Sequence, residues 1–441
     1  MTEEELASRF AEIHPPFDPQ AATVEANRCL YCFDAPCAAA CPTHIDVPRF
    51  IKKIATGNLR GSAQTILDAN ILGLSCSRVC PVDVLCEGAC VLHRYNKQPI
   101  EIGKLQRHAM DRFYANGAKL SAGPVTKTQR IACIGGGPAS LACAAELRLR
   151  GYQPSVFEAR SMAGGLNTYG VAEYKLRPRV SLQEVDLVKS LGVEISTEVT
   201  VGNQITLDSL EADYDAIFVG VGLGPTEQLG IPGENFAGVI DAVQFIARYK
   251  TGHPPKVGRN VVVIGGGNTA IDAAVAAKLL GAENIVIAYR RDREAMPAFD
   301  FEYEHAMNSG VRFFWQTLPV ALRSDDGESV NRVEFMRTEL GSPDASGRRT
   351  PQPVPGSESA IDCDTVIIAL GQTKLSRLLE GRGVGFRAGC VTTDRATGQT
   401  SNPKYFAAGD CVNGGGEVVD AVADGKRAAL GIAQWLEAQH G

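Results

Sequence analysis

Thirteen cysteines occur in this chain, and eight of them fall between positions 29 and 90. They form two runs. The first reads Cys29-Leu-Tyr-Cys32, then Cys37 and Cys41-Pro42; the second reads Cys76, Cys80-Pro81, Cys86 and Cys90. Thiolates are soft ligands, so this density calls for disulfides, structural zinc or iron–sulfur clusters. Nothing at the N-terminus has the pattern of a secretion signal, which speaks against disulfides. Zinc sites usually come as paired Cys-x-x-Cys knuckles, and here only Cys29 and Cys32 have that spacing. Each run carries a Cys-Pro step of the kind found in bacterial ferredoxins, which favours iron–sulfur clusters. In two-cluster ferredoxins a cysteine of one run crosses to the other cluster. On that rule Cys29, Cys32, Cys37 and Cys90 hold one cluster, while Cys41, Cys80 and Cys86 hold the second. The second is then one ligand short, and Cys76 is its fourth by counting.

A different chemistry follows downstream. Ile131-Ala-Cys-Ile-Gly135-Gly-Gly137-Pro138-Ala139-Ser140 is an apolar strand, a glycine turn and the start of a small-residue helix. This is the dinucleotide fingerprint with Ser140 in its third place. Gly135 permits the turn, and Gly137 lets backbone approach a pyrophosphate at the helix N-terminus. The next strand ends in Glu158, suited to a ribose hydroxyl. A second fingerprint reads Val261-Val-Val-Ile-Gly265-Gly-Gly267-Asn268-Thr269-Ala270. Its following strand ends in Arg290-Arg291 instead of an acid. Arginine there accommodates a 2′-phosphate and favours NADP(H) over NAD(H), although Asp292 and Glu294 make a solvated basic corner the competing reading. The repeat implies two dinucleotides, a held FAD and an exchangeable nicotinamide.

Nicotinamide delivers electrons in pairs and an iron–sulfur cluster accepts them singly; a flavin does both and belongs between them. No catalytic triad or carboxylate pair is needed for either transfer. The chain also has no further domain in which an end substrate could react. Electrons are therefore expected to leave through the clusters to another subunit.

The cysteine segment resembles the N-terminal iron–sulfur domain of dihydropyrimidine dehydrogenase. The matching text is Asp-Ala-Pro-Cys37, Cys41-Pro-Thr-His44, Leu72-Gly-Leu-Ser-Cys76, Cys80-Pro81 and Pro99-Ile-Glu-Ile-Gly-Lys-Leu-Gln106. The resemblance extends over nearly the whole chain, to the electron-input subunit of the bacterial NAD-dependent enzyme, and it places NAD(H) ahead of NADP(H) against the arginine pair. It implies two [4Fe–4S] clusters, with Gln106 as last ligand of the second and Cys76 as a bystander. It further implies that Gly164, Gly165 and Leu166 cover the flavin, that Glu173 to Leu176 line its ring, and that Asp410, after Gly409, bonds the ribityl chain. The implied partner carries FMN and further clusters and reduces pyrimidines, in a heterotetramer. The small subunit of glutamate synthase shares this architecture and is the alternative, as is a ferredoxin-linked NAD(P)H oxidoreductase subunit. A zinc-stabilised docking module on a flavoprotein is the reading from another class.

The elements that must position these residues follow from pattern. Apolar residues at helical spacing (Phe50, Ile51, Ile54, Leu59, Ile66, Leu67) predict a small helical domain over 1–121, with loops supplying the thiolates. Residues 117–129 read as a linker. An FAD domain over 122–255 and 373–441 is split around a nicotinamide domain over 256–372, each a Rossmann-like α/β fold. His44, His93 and His108 read as surface or hydrogen-bonding residues, and the five remaining cysteines as small buried hydrophobes. The 44 basic and 50 acidic residues give a net charge of −6, which excludes a nucleic-acid footprint. No apolar run is long enough for a membrane span, and a cytoplasmic location suits reduced thiolates.

Overall fold

The computed structural model describes residue 5 and residues 8–117, 119–343 and 349–440. The chain divides into two compact units. The first runs over Glu12–Thr168, Lys175–Leu223 and the C-terminal part from Lys374. The second comprises the N-terminal stretch ending at Ala11, Tyr169–Tyr174 and Gly224–Thr373.

The first unit opens with helices Pro19–Arg28, Val47–Ala55, Leu59–Ala69, Gly73–Val79 and Ile102–Ala115. Their starts are written locally. Asp18 and Asp46 each accept a first-turn N–H (from Ala21 at 2.8 Å and Arg49 at 3.1 Å), with Pro19 first in its helix and Pro48 second in its own. Gly57 takes φ +75°, and Asn58 then caps the following helix. Phe50, Ile51, Ile54, Ile66 and Leu67 are buried as their spacing predicts.

The same unit continues into a five-stranded parallel sheet. Its strands are β1 (Arg130–Ile134), β2 (Gln153–Phe157), β3 (Glu194–Ser196), β4 (Ala216–Val219) and β16 (Tyr405–Ala407), in the order β16-β4-β1-β2-β3. β1 and β4 are apolar along almost their whole length because helices cover both faces of such a sheet. Helices Pro138–Leu149 and Val418–His440 pack on each other, and a Cβ at Gly425 would lie 2.1 Å from the Ala139 carbonyl.

The second unit holds a parallel sheet of β5 (Val239–Asp241), β6 (Asn260–Ile264), β7 (Asn284–Ala288), β8 (Arg312–Phe314) and β13 (Thr365–Ile368), ordered β5-β13-β6-β7-β8. An antiparallel sheet of β9 (Thr317–Arg323), β10 (Arg332–Pro343), β11 (Arg349–Pro353) and β12 (Ser359–Asp362) is added to it, and β14 (Phe386–Arg387) and β15 (Cys390–Val391) form a ribbon in the first unit. β10 and β11 pair antiparallel as the arms of a hairpin, and positions 344–348 lie outside the described residues.

The architecture is the expected one, two Rossmann-like sheets behind a helical segment. The divisions fall elsewhere. β5 pairs with β13, so residues 224–255, expected with the FAD domain, are part of the second unit. The helical segment from Glu12 and the first sheet form one unit instead of two. Among the described residues no helix is long and apolar enough to cross a membrane.

Candidate functional site

Four of the thiols ring one cavity. Cys29, Cys32, Cys37 and Cys90 line it, with Val47, Ile51, Leu92, Ile100 and Ile102 supplying its apolar wall. Burial raises the Cys29 and Cys37 thiols, the latter to about 12, with Cys90 and Cys29 adding like-charge repulsion. A proton therefore occupies each sulfur until a cation replaces it, as iron binding would. Among the described residues no three His, Cys, Asp or Glu side chains converge on a single-ion point. The four thiols line one cavity, and soft thiolate ligands of this number suit an iron–sulfur group.

A second set forms around Cys80. Its thiol is raised first by a hydrogen bond with Cys76, then by burial, and Cys86 and Cys41 add further repulsion. Cys86 is likewise pushed up by burial. Cys76, a bystander on the resemblance, thus lies beside Cys80, with Cys86 and Cys41 near that thiol. Asn70 Nδ2 donates to the Cys76 sulfur at 3.3 Å. Gln106, the ligand implied by resemblance, is buried, and its Nε2 donates to the Gly73 carbonyl at 2.7 Å.

The loop carrying Cys86 is held in place by its own backbone. The Glu87 and Gly88 N–H groups both donate to Val82 O, and a Cβ at Gly88 would fall 1.9 Å from Asp83 O. Glu87 accepts from the Gly103 N–H at 2.9 Å, joining this loop to helix Ile102–Ala115; burial raises its carboxyl to about 7. His93 Nε2 lies 3.2 Å from Glu87 O, a hydrogen-bonding role as expected.

The first glycine loop has the shape its sequence requires. Gly135 has φ +92°, and a Cβ there would meet Gly220 O at 2.5 Å. Gly137 is the N-cap of helix Pro138–Leu149 and provides no side-chain cap, so the N–H groups of Ala139 and Ser140 are left for an anion. The Ser140 hydroxyl is buried without a partner. Glu158 accepts from Gly136 N–H at 2.7 Å and Arg160 N–H at 2.8 Å, so it braces the loop beside any ribose role. Gly164 N–H donates to Gly136 O at 2.7 Å, and a Cβ at Gly165 would come within 2.8 Å of Gly137 Cα. Leu166, which follows, opens a short helix. On the other side, a Cβ at Gly409 would lie 3.1 Å from Ala139 Cβ. Asp410 accepts the Gly416 N–H at 3.1 Å, and burial raises its carboxyl. Gly135, Gly137, Gly165, Gly409 and Asp410 therefore surround one cradle.

In the second unit, Gly265 has φ +149°, with Ala369 O at 2.3 Å from a would-be Cβ. Gly267 caps helix Asn268–Leu279 without a side chain and faces open space. Asn268 Oδ1 accepts the Phe299 N–H at 3.2 Å, Thr269 is half-buried and Ala270 fully buried. After β7, Arg290 is exposed, while Arg291 Nε is buried without a partner. The neighbouring charges are engaged: Asp292 caps Ala295, and Arg293 pairs with Asp300.

Two features escaped the sequence reading. Asp272 lies buried in the second fingerprint's helix and accepts from Tyr174 OH at 3.0 Å and Ala172 N–H at 3.2 Å; the buried Lys250 donates to Val171 O at 2.7 Å. Glu184, also buried, accepts from the Leu74 and Ser75 N–H groups at 2.8 and 3.0 Å and from the Ser75 hydroxyl. A lone acid among apolar helix residues was the signal for Asp272, whereas Glu184 sits in a mixed polar helix that gives none.

Fold and site together define a class, the NAD(P)H-type flavin oxidoreductases with a 4Fe–4S domain. Residues 129–425 match the model of the pyridine nucleotide-disulphide oxidoreductase family, and residues 6–118 match dihydropyrimidine dehydrogenase domain II, 4Fe–4S cluster. The glutamate synthase [NADPH] small chain of Escherichia coli is 37% identical, over 97% of this chain and 94% of its own. A putative oxidoreductase of the same organism, AegA, is 39% identical over 97% of this chain and 67% of its own. The β subunit of the NADP(+)-dependent formate dehydrogenase of Moorella thermoacetica is 36% identical, and the match spans 60% of its length. The chain belongs to the pyridine nucleotide-disulphide oxidoreductase family, in the branch that includes the glutamate synthase small chain. Mycobacterium tuberculosis FprA shares the fold at a TM-score of 0.60 and 20% identity, covering 71% of this chain and 86% of its own.

Proposed function

We propose that the chain is an electron-input subunit whose first glycine loop would hold FAD and whose thiols would hold two [4Fe–4S] clusters, groups that would supply the passage of electrons from NADPH to a partner of the glutamate synthase large-subunit type. The observation that carries this reading is the full-length likeness to a glutamate synthase small chain, joined to a thiol-ringed cavity ahead of two glycine cradles. When bound, FAD supplies the exchange between paired and single electrons. The chain's own residues do the rest. Ala139 and Ser140 N–H groups hold the flavin's pyrophosphate, and Gly409 and Asp410 close the cradle on its opposite side. Gly267 admits the nicotinamide's pyrophosphate, and Arg291, with its unpartnered Nε, pairs with a 2′-phosphate. Cys29, Cys32, Cys37 and Cys90 hold one cluster; Cys41, Cys80 and Cys86, completed by Cys76, hold the other. Gln106, already bonded to Gly73 O, serves as support behind that helix.

A pyrimidine-reducing partner is the second reading, favoured by the match of residues 6–118 to the dihydropyrimidine dehydrogenase domain. Reconstitution separates them. The anaerobically purified chain is mixed with a glutamate synthase large subunit or with a pyrimidine-reducing subunit, and NADPH-driven product is measured. Glutamate formation is expected. Dihydropyrimidine formation, with no glutamate, overturns the partner assignment.

A further inference from the structure

We infer that Glu184 is a positioning residue that fixes the cysteine helix of the second thiol set and sets the potential of the cluster there. The inference rests on the proposed electron path.

Helix Gly73–Val79 carries Cys76, and Cys80 is its C-cap. Its N-cap, Leu72, has no side chain able to accept a hydrogen bond, and no local cap is made. Glu184 supplies that cap from a distant part of the chain. It lies on helix Pro178–Ser190, which follows the segment Glu173–Leu176 and belongs to the nucleotide-binding part of the same unit. Its carboxylate takes the second and third N–H groups of the cysteine helix as well as the Ser75 hydroxyl. A carboxylate at this end complements the helix dipole and fixes both the position and rotation of the helix. Rotation matters because it aims the Cys76 sulfur toward Cys80.

The charge has a second consequence. Glu184 is 1% exposed, with Arg78 and Tyr114 as its charged and titratable neighbours. Arg78 is drawn away by Asp111, to which it donates at 2.6 Å, and by Glu12. Burial raises the Glu184 carboxyl to about 7 against the lowering by the Ser75 and Leu74 bonds and Arg78, so above that pH the cap is a charged carboxylate in a weakly screened site on the helix that carries Cys76. An electron arriving on that cluster adds negative charge, so Glu184 lowers its reduction potential. The helix that Glu184 caps carries Cys76 and ends at Cys80, whereas Cys29, Cys32, Cys37 and Cys90 lie on other segments. A single carboxylate thereby makes the two clusters unequal.

The test uses the full chain, purified anaerobically in mildly alkaline buffer, with iron content, melting temperature and EPR-monitored redox titration as readouts. Glu184→Gln keeps an acceptor for the helix N–H groups and removes the charge. It should shift one cluster midpoint upward and leave the other midpoint and the flavin's in place. Ser75→Ala loses one hydrogen bond and keeps the charge, so its midpoints should stay at wild-type values. Glu184→Gln with full iron and unmoved midpoints overturns the inference. If that variant fails to retain iron, Glu184→Asp decides. Retained iron at wild-type potentials supports the charge, and loss of iron there too reduces Glu184 to packing and overturns it. Wild-type protein lacking iron would overturn the electron path along with this inference, whereas unmoved potentials in an iron-loaded variant overturn this inference alone.

Discussion

Ligand identity is settled one atom at a time, and the second thiol set contains two candidates for one position. Cys76 lies beside Cys80 and its sulfur accepts from Asn70 Nδ2 at 3.3 Å, while Gln106 points its amide nitrogen at Gly73 O. Cys76→Ser should therefore lose about half of the iron, roughly four atoms per chain, whereas Gln106→Ala should keep nearly all of it; colorimetric iron and EPR spectra of both variants decide. Resemblance prefers the glutamine and counting the cysteine, because spacing along the chain does not distinguish a sulfur from an amide as the last ligand. Lys250 gives a second residue-level prediction. Burial lowers its amine to about 7, with Glu173 and Asp272 opposing the shift. In the unfolded chain the same amine stays protonated up to about pH 10.4. Between these values the unfolded state binds the extra proton, so stability rises with pH by up to ~1.4 kcal/mol per unit. Melting temperatures taken at pH 7 and pH 9 should show this rise in the wild type and a flatter response in Lys250→Met. Neither Lys250 nor Glu184 was legible as special. Each lies within an ordinary helical pattern, and its partners are far away in sequence, 109 residues in the case of Glu184 and Ser75.

The glycine loops, in contrast, were legible because their elements constrain them locally. A strand, a left-handed turn and an uncapped helix start admit few residue types, so Gly135 and Gly265 reveal themselves by position. Gly135→Val should cost most of the bound flavin, since its Cβ would press on Gly220 O; absorbance of the purified variant relative to protein reports the loss. Gly265→Val should spare the flavin and weaken NADPH, which makes the two loops separable. At the end of β7 the arginine pair was ambiguous in sequence because acids crowd it. The structure ties Asp292 to Ala295 and Asp300 to Arg293, which leaves Arg291 with its buried Nε unpartnered. Arg291→Ala should raise the KM for NADPH by about tenfold, equivalent to ~1.4 kcal/mol, with little change for NADH. Equal losses for the two coenzymes would remove the 2′-phosphate assignment. The strand β5 was not legible as a member of the second sheet, because three residues carry too little periodicity to outweigh their place before the second fingerprint.

At the level of the whole molecule, both sheets are parallel and each is built from βαβ units, which is why the fold class could be read from alternating strand and helix patterns. Where the chain divides could not be read that way. The helical segment and first sheet count as one unit through contacts such as Glu184 with Ser75 and Lys426 with Asp68 O, and side-chain bonds of this kind leave no periodic trace. One topological detail bears on how the protein is made. β16 pairs with β4, yet the entire second sheet is threaded between Val219 and Tyr405. A nascent chain emerging from the ribosome must then hold an incomplete edge at β4 until nearly all of the polypeptide has been synthesised. Such distant pairing is slow and leaves an unpaired strand exposed meanwhile. Quick folding of the inserted sheet is therefore what shortens the time for which the β4 edge lies open.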